Sequence, residues 1–283
     1  MKSLCCLKNV RVLTQNAFSS IRLMSKAVDV VETSVPTVFT SSDMDPNLEL
    51  ARWGKPAHQL FSATPHYIHP SELNYQLPTC GAPEFAFVGR SNVGKSSLID
   101  LLMGNKKIVK ISKEPGCTRS INYFGLSKDG MRGNYMAYFV DLPGYGFAKK
   151  SKAEQQQWTD TIHSFVANRD QSILRRVYIL VDVRRGLRDQ DLDMMITLNT
   201  AAIPYQIIMT KADLVGAAEL KLTVQTAFQV LTSKHGAACL PFIHTVSSAN
   251  RSGIEALKLG IGEVFAERFG TTGKAIADVE ENA

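Results

Sequence analysis

The most constraining feature of the 283-residue sequence is a glycine-bracketed loop, GRSNVGKSS, at residues 89–97. It lies between an apolar run, EFAFV, and a segment with helical spacing, LIDLLM. Glycines let the backbone curl so that N–H groups converge on phosphate oxygens, and a helix N-terminus adds partial positive charge. This phosphate loop predicts a nucleoside triphosphate site, with Lys95 reaching the β- and γ-phosphates and Ser96 offering its hydroxyl to Mg²⁺. The loop alone does not distinguish ATP from GTP.

The rest of the chain alternates between continuous apolar runs and segments with helical spacing. Strands apolar on both faces, alternating with helices, predict an α/β fold with a mostly parallel six-stranded sheet and helices on both faces. Ligands of such sheets bind at the carboxyl ends of the strands. The predicted strands are 84–88, 121–126, 134–142, 175–183, 205–210 and 241–246, and after the helix that begins at Lys95 the predicted helices are 153–167, 192–198, 217–234 and 254–269.

A D-x-x-G motif, Asp141-Leu142-Pro143-Gly144, ends the strand predicted at 134–142. A carboxylate there is placed to hold Mg²⁺ through water, and the Gly144 N–H is placed to meet the γ-phosphate. A plain turn explains the four residues when they are taken alone. Their position after the strand that follows the phosphate loop favours the nucleotide site.

Two further motifs follow the last two predicted strands. In Thr210-Lys211-Ala212-Asp213, the carboxylate can accept hydrogen bonds from N1–H and the 2-amino group of guanine, which adenine lacks. A Lys/Asp helix cap is the alternative explanation. In the second motif a backbone N–H is placed to donate to guanine O6, although alone the motif is an ordinary serine-rich helix entry. It comprises Val246, Ser247, Ser248 and Ala249.

The charge distribution separates the N-terminus from the rest of the chain. The net charge is +6, but residues 1–28 contain five basic residues and no acidic one. The remainder therefore carries about +1, which gives no argument for nucleic-acid binding. Basic, Leu- and Ser-containing residues without acids are typical of a mitochondrial presequence, which we predict at 1–28. A basic terminus without a targeting signal, and hence a cytoplasmic protein, is the alternative.

The sequence also predicts how the remaining regions are used. Residues 29–60 contain Pro36, Pro46 and Pro56 and are interpreted as a flexible linker, 61–269 as the globular domain and 270–283 as a polar tail. No apolar stretch approaches the ~20 residues that a membrane-spanning helix needs. The five cysteines have no metal-type spacing beyond one adjacent pair, which fits reduced thiols in a matrix or cytosolic protein.

Six segments together resemble the EngB (YihA/YsxC) family of ribosome-associated GTPases, whose eukaryotic members are known as GTP-binding protein 8. They are GRSNVGKSS, EPGCTRSINYF, DLPGYGFA, VDVRRGLRDQD, TKAD and the final SS. The resemblance covers 61–269 and implies a Ras-like phosphate-loop GTPase domain that uses GTP and Mg²⁺. It also implies a role in maturation of the large ribosomal subunit, which a presequence would place in the mitochondrial matrix. The expected partner is a mitochondrial large-subunit precursor, through rRNA or protein and not DNA, and we expect a monomer.

The resemblance assigns roles to single residues. Thr118 matches the Mg²⁺-binding threonine of the first switch, and Cys117 stands where an arginine is common. Tyr145 occupies the place of the water-orienting glutamine of Ras-type enzymes, so we expect slow hydrolysis without a partner. Asn92 matches an asparagine that can ligate K⁺ beside the phosphates, where a cation offsets developing charge.

The expected catalytic residues are Lys95, Thr118, Gly144 and Asn92, and the Mg²⁺ ligands are Ser96, Thr118 and, through water, Asp141. The expected GTP contacts are Gly89, Arg90, Ser91, Asn92, Val93, Gly94, Lys95, Ser96, Ser97, Gly116, Cys117, Thr118, Arg119, Ser120, Asp141, Leu142, Pro143, Gly144, Thr210, Lys211, Ala212, Asp213, Val246, Ser247, Ser248 and Ala249.

Two other functions fit the same motifs: a GTP-regulated binding module with negligible turnover, and a phosphate-loop ATPase or kinase. Three basic clusters are either solvated surface charges or phosphate contacts to rRNA. They are Lys106, Lys107, Lys110 and Lys113; Lys149, Lys150 and Lys152; and Arg184, Arg185 and Arg188.

Overall fold

A computed structural model describes residues 46–69, 77–78, 80–104, 108, 121–145, 152–232, 237–240 and 242–267, all within the unit Val38–Ala283. The presequence predicted at 1–28 and the tail predicted at 270–283 lie outside these residues. The helices of the described residues are α1 (Pro46–Phe61), α2 (Lys95–Leu102), α3 (Lys152–Asn168), α4 (Asp189–Thr200), α5 (Ala217–Val230) and α6 (Ile254–Ala266). Their strands are β1 (Thr64–Ile68), β2 (Glu84–Gly89), β3 (Asn122–Ser127), β4 (Ala137–Asp141), β5 (Leu174–Asp182), β6 (Tyr205–Thr210) and β7 (His244–Thr245).

The strands form one sheet in the order β1-β3-β4-β2-β5-β6-β7. Five neighbouring strands in this order, β4, β2, β5, β6 and β7, are parallel to one another. Strand β3 is antiparallel to β4, and β1 is antiparallel to β3. The prediction of a mostly parallel α/β sheet is therefore confirmed.

The predicted count of six strands is wrong, because β1 adds a seventh at the edge. Its sequence, TPHYI, lacks a continuous apolar run and contains Pro65, which faces Leu126 in the antiparallel pairing. Proline is tolerated in an edge strand, because one side of that strand has no neighbouring strand and the missing N–H there costs no hydrogen bond. The sequence signal for this strand was therefore weak.

Helices cover both faces of the sheet, as predicted. Because successive side chains of β5 point to opposite faces, Tyr178 and Leu180 contribute to one core, and Ile179 and Val181 to the other. Buried side chains of α1, α2 and α6 complete the first core, and those of α3, α4 and α5 complete the second. In the part of the chain described here, no helix is long and apolar enough to cross a membrane.

The interpretation of 29–60 as a flexible linker is wrong for residues 46–60, which belong to α1. Pro46 begins this helix, a position where the missing proline N–H costs no intrahelical bond. The side chains of Ala57 and Leu60 are buried. At Gly262 of α6, a Cβ would lie only 2.7 Å from the Ala57 Cβ, so the two helices pack in close contact. The folded domain therefore begins before residue 61, while 29–45 lie outside the described residues.

Candidate functional site

Four predicted motifs end strands at one edge of the sheet. Gly89 closes β2, Asp141 closes β4 and Thr210 closes β6, while Ser247 follows β7. Because these strands are parallel, their carboxyl ends meet at the same edge. The predicted placement of the motifs at strand ends is confirmed, and β5, lying between β2 and β6, adds Asp182 to the group.

The phosphate loop has a backbone that its glycines and asparagine make accessible. Gly94, immediately before α2, has φ 101°, and Asn92 has φ 64° in the left-handed region that asparagine tolerates. At Gly89, a Cβ would lie 2.7 Å from the main-chain oxygen of Leu180 in β5. Glycine is therefore required at 89 by close packing and at 94 by conformation.

Lys95 and Asp141 form a buried ion pair at the centre of this edge. Their side chains are 10% and 4% exposed, and Lys95 Nζ donates to Asp141 Oδ1. Lys95 is the first residue of α2 and Ser96 the second, so ammonium, hydroxyl and carboxylate come from neighbouring elements. A buried pair needs further polar partners to offset desolvation. A phosphate group for Lys95 and a hydrated divalent cation for Asp141 and Ser96 fit these donors and acceptors.

Segment 141–145 lies directly against the phosphate loop. The Ser91 N–H donates to the Tyr145 carbonyl at 3.0 Å, and the Tyr145 N–H donates to the Gly89 carbonyl at 3.2 Å. At Gly144, a Cβ would lie 3.2 Å from the Gly89 oxygen. Two hydrogen bonds and a close approach thus connect the D-x-x-G motif to the loop.

Tyr145 is buried, and its hydroxyl donates a 2.7 Å hydrogen bond to Asp191 Oδ1 in α4. The other Asp191 oxygen accepts from the Arg188 N–H at 2.9 Å. Burial raises the pKa of Asp191 despite these bonds, and burial together with the nearby Asp191 carboxylate raises the pKa of Tyr145 well above its usual range. The tyrosine hydroxyl is thus held between α4 and the phosphate loop.

Sequence reasoning missed Asp191. The signal that could have indicated it is a carboxylate three residues after Arg188, the spacing with which a side chain caps a helix N-terminus.

The Thr210–Asp213 motif is bonded to the phosphate loop. Lys211, with φ 60°, donates from Nζ to the Asn92 carbonyl at 2.6 Å and lies 3.0 Å from Asp182 Oδ2. The Thr210 hydroxyl donates to the Val93 carbonyl at 2.7 Å. These contacts hold the phosphate loop beside β5 and β6.

Asp182, which the sequence analysis did not select, anchors this side of the site. It accepts two side-chain hydrogen bonds from Arg184, at 2.9 and 2.7 Å, and pairs with Lys211. Burial raises its pKa, but the hydrogen bonds from Arg184 and Lys211 outweigh burial and lower it overall. Asp182 therefore remains ionised and holds both cations.

The residues predicted to recognise guanine lie in two bonded loops. The Ala212 N–H donates to the Val246 carbonyl at 3.1 Å. The buried Ser247 accepts at Oγ from the Ala249 N–H, also at 3.1 Å. Asp213 is exposed, which leaves its carboxylate accessible to a ligand.

Several predicted site residues lie outside the described residues. They are Gly116, Cys117, Thr118, Arg119 and Ser120, together with the lysines at 106, 107, 110, 113, 149 and 150. Asn92 has an exposed side chain, and its role as a K⁺ ligand stays a prediction. No cluster of three or more His, Cys, Asp or Glu that could hold a metal occurs within the described ranges.

Comparison with known proteins agrees with the geometry. Residues 84–211 match a family model described as "50S ribosome-binding GTPase". The "Probable GTP-binding protein EngB" of Rhodopseudomonas palustris (strain TIE-1) is 43% identical over 211 residues, which cover 74% of this chain and 93% of that protein. This chain belongs to the EngB family of GTPases.

Other comparisons give the same family name. The EngB protein of Rhodospirillum rubrum is 40% identical over 211 residues, covering 75% of this chain and 86% of that protein. A crystal structure of a probable GTP-binding protein EngB is 28% identical, covers 65% of this chain and 100% of that chain, and has a TM-score of 0.49. The two EngB sequences confirm, at the level of the EngB family, the resemblance inferred from the motifs. The mostly parallel sheet with helices on both faces is the α/β fold that this resemblance implied.

Proposed function

We propose that this EngB-family protein is a Mg²⁺-dependent GTPase that acts as a switch in assembly of the mitochondrial large ribosomal subunit. The proposal includes its being a eukaryotic member of the family, of the GTP-binding protein 8 type. The observation that carries the switch is the pair of hydrogen bonds between segment 141–145 and the phosphate loop. Because the loop would hold the phosphates, the presence or absence of the terminal phosphate would act directly on segment 141–145, which lies next to α4. The description of the matching family as ribosome-binding supports the partner.

The residues at the sheet edge divide the work on the nucleotide. Lys95 exchanges its pairing with Asp141 for phosphate oxygens, and the loop N–H groups hold the same phosphates. Ser96, Thr118 and, through water, Asp141 would hold Mg²⁺, which neutralises charge on the phosphates. The Gly144 N–H is placed to meet the terminal phosphate. Hydrolysis would remove that contact and release segment 141–145.

Guanine specificity rests on the exposed carboxylate of Asp213. An Asp213→Asn variant should shift nucleotide preference from GTP to xanthosine triphosphate, because the amide N–H can donate to the 2-oxo group of xanthine. Competition binding with GTP, ATP and xanthosine triphosphate measures the shift. Unchanged nucleotide choice would refute the guanine assignment.

A GTP-regulated binding module with negligible turnover is the second candidate. It is favoured by the residue at position 145, where Ras-type enzymes have the glutamine that orients water. This chain has a tyrosine there instead of a side-chain amide, and the tyrosine hydroxyl is bonded to Asp191. Single-turnover hydrolysis with and without mitochondrial large-subunit particles separates the two functions. Stimulation by the particles supports the GTPase switch, and its absence supports the binding module.

Two further tests address the ion and the cellular location. If Asn92 ligates K⁺, hydrolysis should be faster in K⁺ than in Na⁺, and Asn92→Ala should abolish that difference.

If residues 1–28 are a presequence, a fluorescent fusion to the whole chain should enter mitochondria. A fusion that begins at residue 29 should then remain in the cytosol. If both fusions remain in the cytosol, the presequence proposal is wrong.

A further inference from the structure

A depression of about 520 Å³ opens beside the phosphate loop, next to the nucleotide site, with which it shares Arg90. Arg90, Arg185, Arg188, Asp189 and Gln190 line it, and we call it the arginine depression. Arg90 is its only residue from the phosphate loop, and the ion pair at the centre of the nucleotide site contributes nothing to its lining. The other four residues come from the turn after β5 and the start of α4.

Among the described residues, none of the three arginine side chains forms an ion pair with a nitrogen–oxygen distance within 4.0 Å, although the charges of Arg90 and Arg188 lower the pKa of the nearby Asp191 carboxyl against the effect of burial. Arg184, their neighbour in sequence, is by contrast bonded to Asp182. The Nε of Arg90 is buried and has no hydrogen-bond partner within the described part of the chain. Three guanidinium groups against the one carboxylate of Asp189 give the lining a net charge of +2. Unpaired guanidinium groups of this kind bind phosphate oxygens, often in pairs of parallel hydrogen bonds.

We propose that the arginine depression binds an RNA backbone. Three guanidinium groups distributed along one open depression suit a chain of successive phosphates better than the single phosphate of a modified peptide. Asp189 and Gln190 add oxygen acceptors to the lining, and an RNA backbone offers them 2′-hydroxyl donors that DNA lacks. This inference rests on the ribosomal role proposed above and names the surface and the ligand class.

The depression is connected to the nucleotide-sensing segment through three consecutive contacts. Arg90 forms a parallel β-bridge with Tyr145, the Tyr145 hydroxyl is bonded to Asp191, and Asp191 accepts from the Arg188 main chain. Two residues of the lining are therefore joined to segment 141–145. A nucleotide that moves this segment changes the spacing of the arginines and with it the affinity for RNA. By linkage, bound RNA then changes the affinity for that nucleotide by the same factor.

The test uses the full chain with a fluorescein-labelled RNA hairpin and a DNA hairpin of the same sequence, measured by anisotropy at several salt concentrations. The variant is Arg185→Gln/Arg188→Gln, which keeps the main-chain bond to Asp191. The charge-matched control is Lys128→Gln/Lys221→Gln, two exposed lysines elsewhere on the surface. Circular dichroism and thermal unfolding verify that both variants are folded.

We expect the arginine variant to bind the RNA hairpin about tenfold or more weakly, with a salt slope reduced by about 2, and the lysine control to resemble the parent. We also expect RNA to bind more tightly than DNA, and its affinity to differ between GTP- and GDP-loaded protein. Equal RNA affinity of parent and arginine variant, equal loss in the lysine control, or no RNA binding by the parent would overturn the proposal.

Parallel sedimentation of the parent protein with mitochondrial large subunits separates this inference from the proposed function. If the parent sediments with the particles while the arginines do not affect RNA binding, the depression is not the RNA site and the ribosomal role stands. If the parent does not sediment with them in any nucleotide state, the ribosomal role fails, whatever the hairpin assay shows.

Discussion

The hydroxyl of Tyr145 donates a 2.7 Å hydrogen bond to Oδ1 of Asp191, a carboxylate that is completely buried at the start of α4. Tyr145 directly follows Gly144 and is itself bonded to the phosphate loop through its main chain. A single residue thus contacts both the loop expected to hold phosphate and the helix that borders the arginine depression. This relationship makes Tyr145 a positioning residue rather than a substitute for a water-orienting glutamine.

Tyr145→Phe should destabilise the protein by about 1–3 kcal/mol, because a buried Asp191 oxygen loses its hydrogen bond. The rate of GTP hydrolysis should change by less than about threefold, since the hydroxyl faces Asp191. Urea unfolding and single-turnover hydrolysis measure the two effects. A double-mutant cycle with Asp191→Asn should show coupling between the residues. A large loss of hydrolysis without loss of stability would indicate that the hydroxyl acts in catalysis.

Lys95→Met should destabilise the nucleotide-free protein by about 3–5 kcal/mol, because it leaves the buried Asp141 carboxylate without its cation. The same change should weaken GTP binding. Unfolding in urea without nucleotide isolates the effect on stability. The control is Lys221→Met on the exposed surface of α5, which should change the free energy of unfolding by less than about 0.5 kcal/mol. Equal stability of both variants would contradict the buried pair.

Gly89→Ala should destabilise the sheet where β2 and β5 are closest. A Cβ at 89 would lie 2.7 Å from the Leu180 carbonyl oxygen, which is backbone and cannot rotate away. We expect a loss of about 1–3 kcal/mol from overpacking, together with weaker nucleotide binding as the phosphate loop shifts. Gly216→Ala is the control, because nothing lies within 4 Å of its added Cβ. Comparable thermal unfolding of the two variants would contradict this packing.

Much of this architecture is predictable from sequence because the signals are local. Continuous apolar runs indicate buried parallel strands, and polar motifs that follow such runs must meet at the same sheet edge. Helix α1 could not be predicted in this way, since Pro46 and Pro56 resemble loop signals and its burial depends on α6. The bond between Tyr145 and Asp191 joins residues 46 positions apart, which no local pattern records.

Glu263 in α6 should make stability fall with rising pH. Burial raises its pKa to about 7, with further effects from Arg176, Glu267, Glu49 and Arg52 around it. The folded state therefore binds a proton that the unfolded state releases, so the contribution of Glu263 to stability is fully present below about pH 4.5 and is lost as pH rises through 7. Glu263→Gln should be more stable than the parent by a margin that grows by about 1–3 kcal/mol between pH 5 and 8.

The difference between variant and parent is the quantity to measure, because His244 acts in the opposite direction. Burial lowers the pKa of His244 to about 3, so its contribution to stability is lost as pH falls below its unfolded value of 6.5. Chemical unfolding at each pH gives the difference. Glu255→Gln, at a side chain 81% exposed on the same helix, is the control. A margin for Glu263→Gln that does not change with pH would refute the raised pKa.

The central claim is that nucleotide state governs binding to the large ribosomal subunit. The most direct test is sedimentation of the full chain with mitochondrial large-subunit precursors in a non-hydrolysable GTP analogue, in GDP and without nucleotide. We predict that the GTP analogue increases the affinity for the particles by about tenfold or more over GDP, which corresponds to an ordinary coupling free energy between two sites. Equal binding in all three conditions, or no binding in any, would contradict the account.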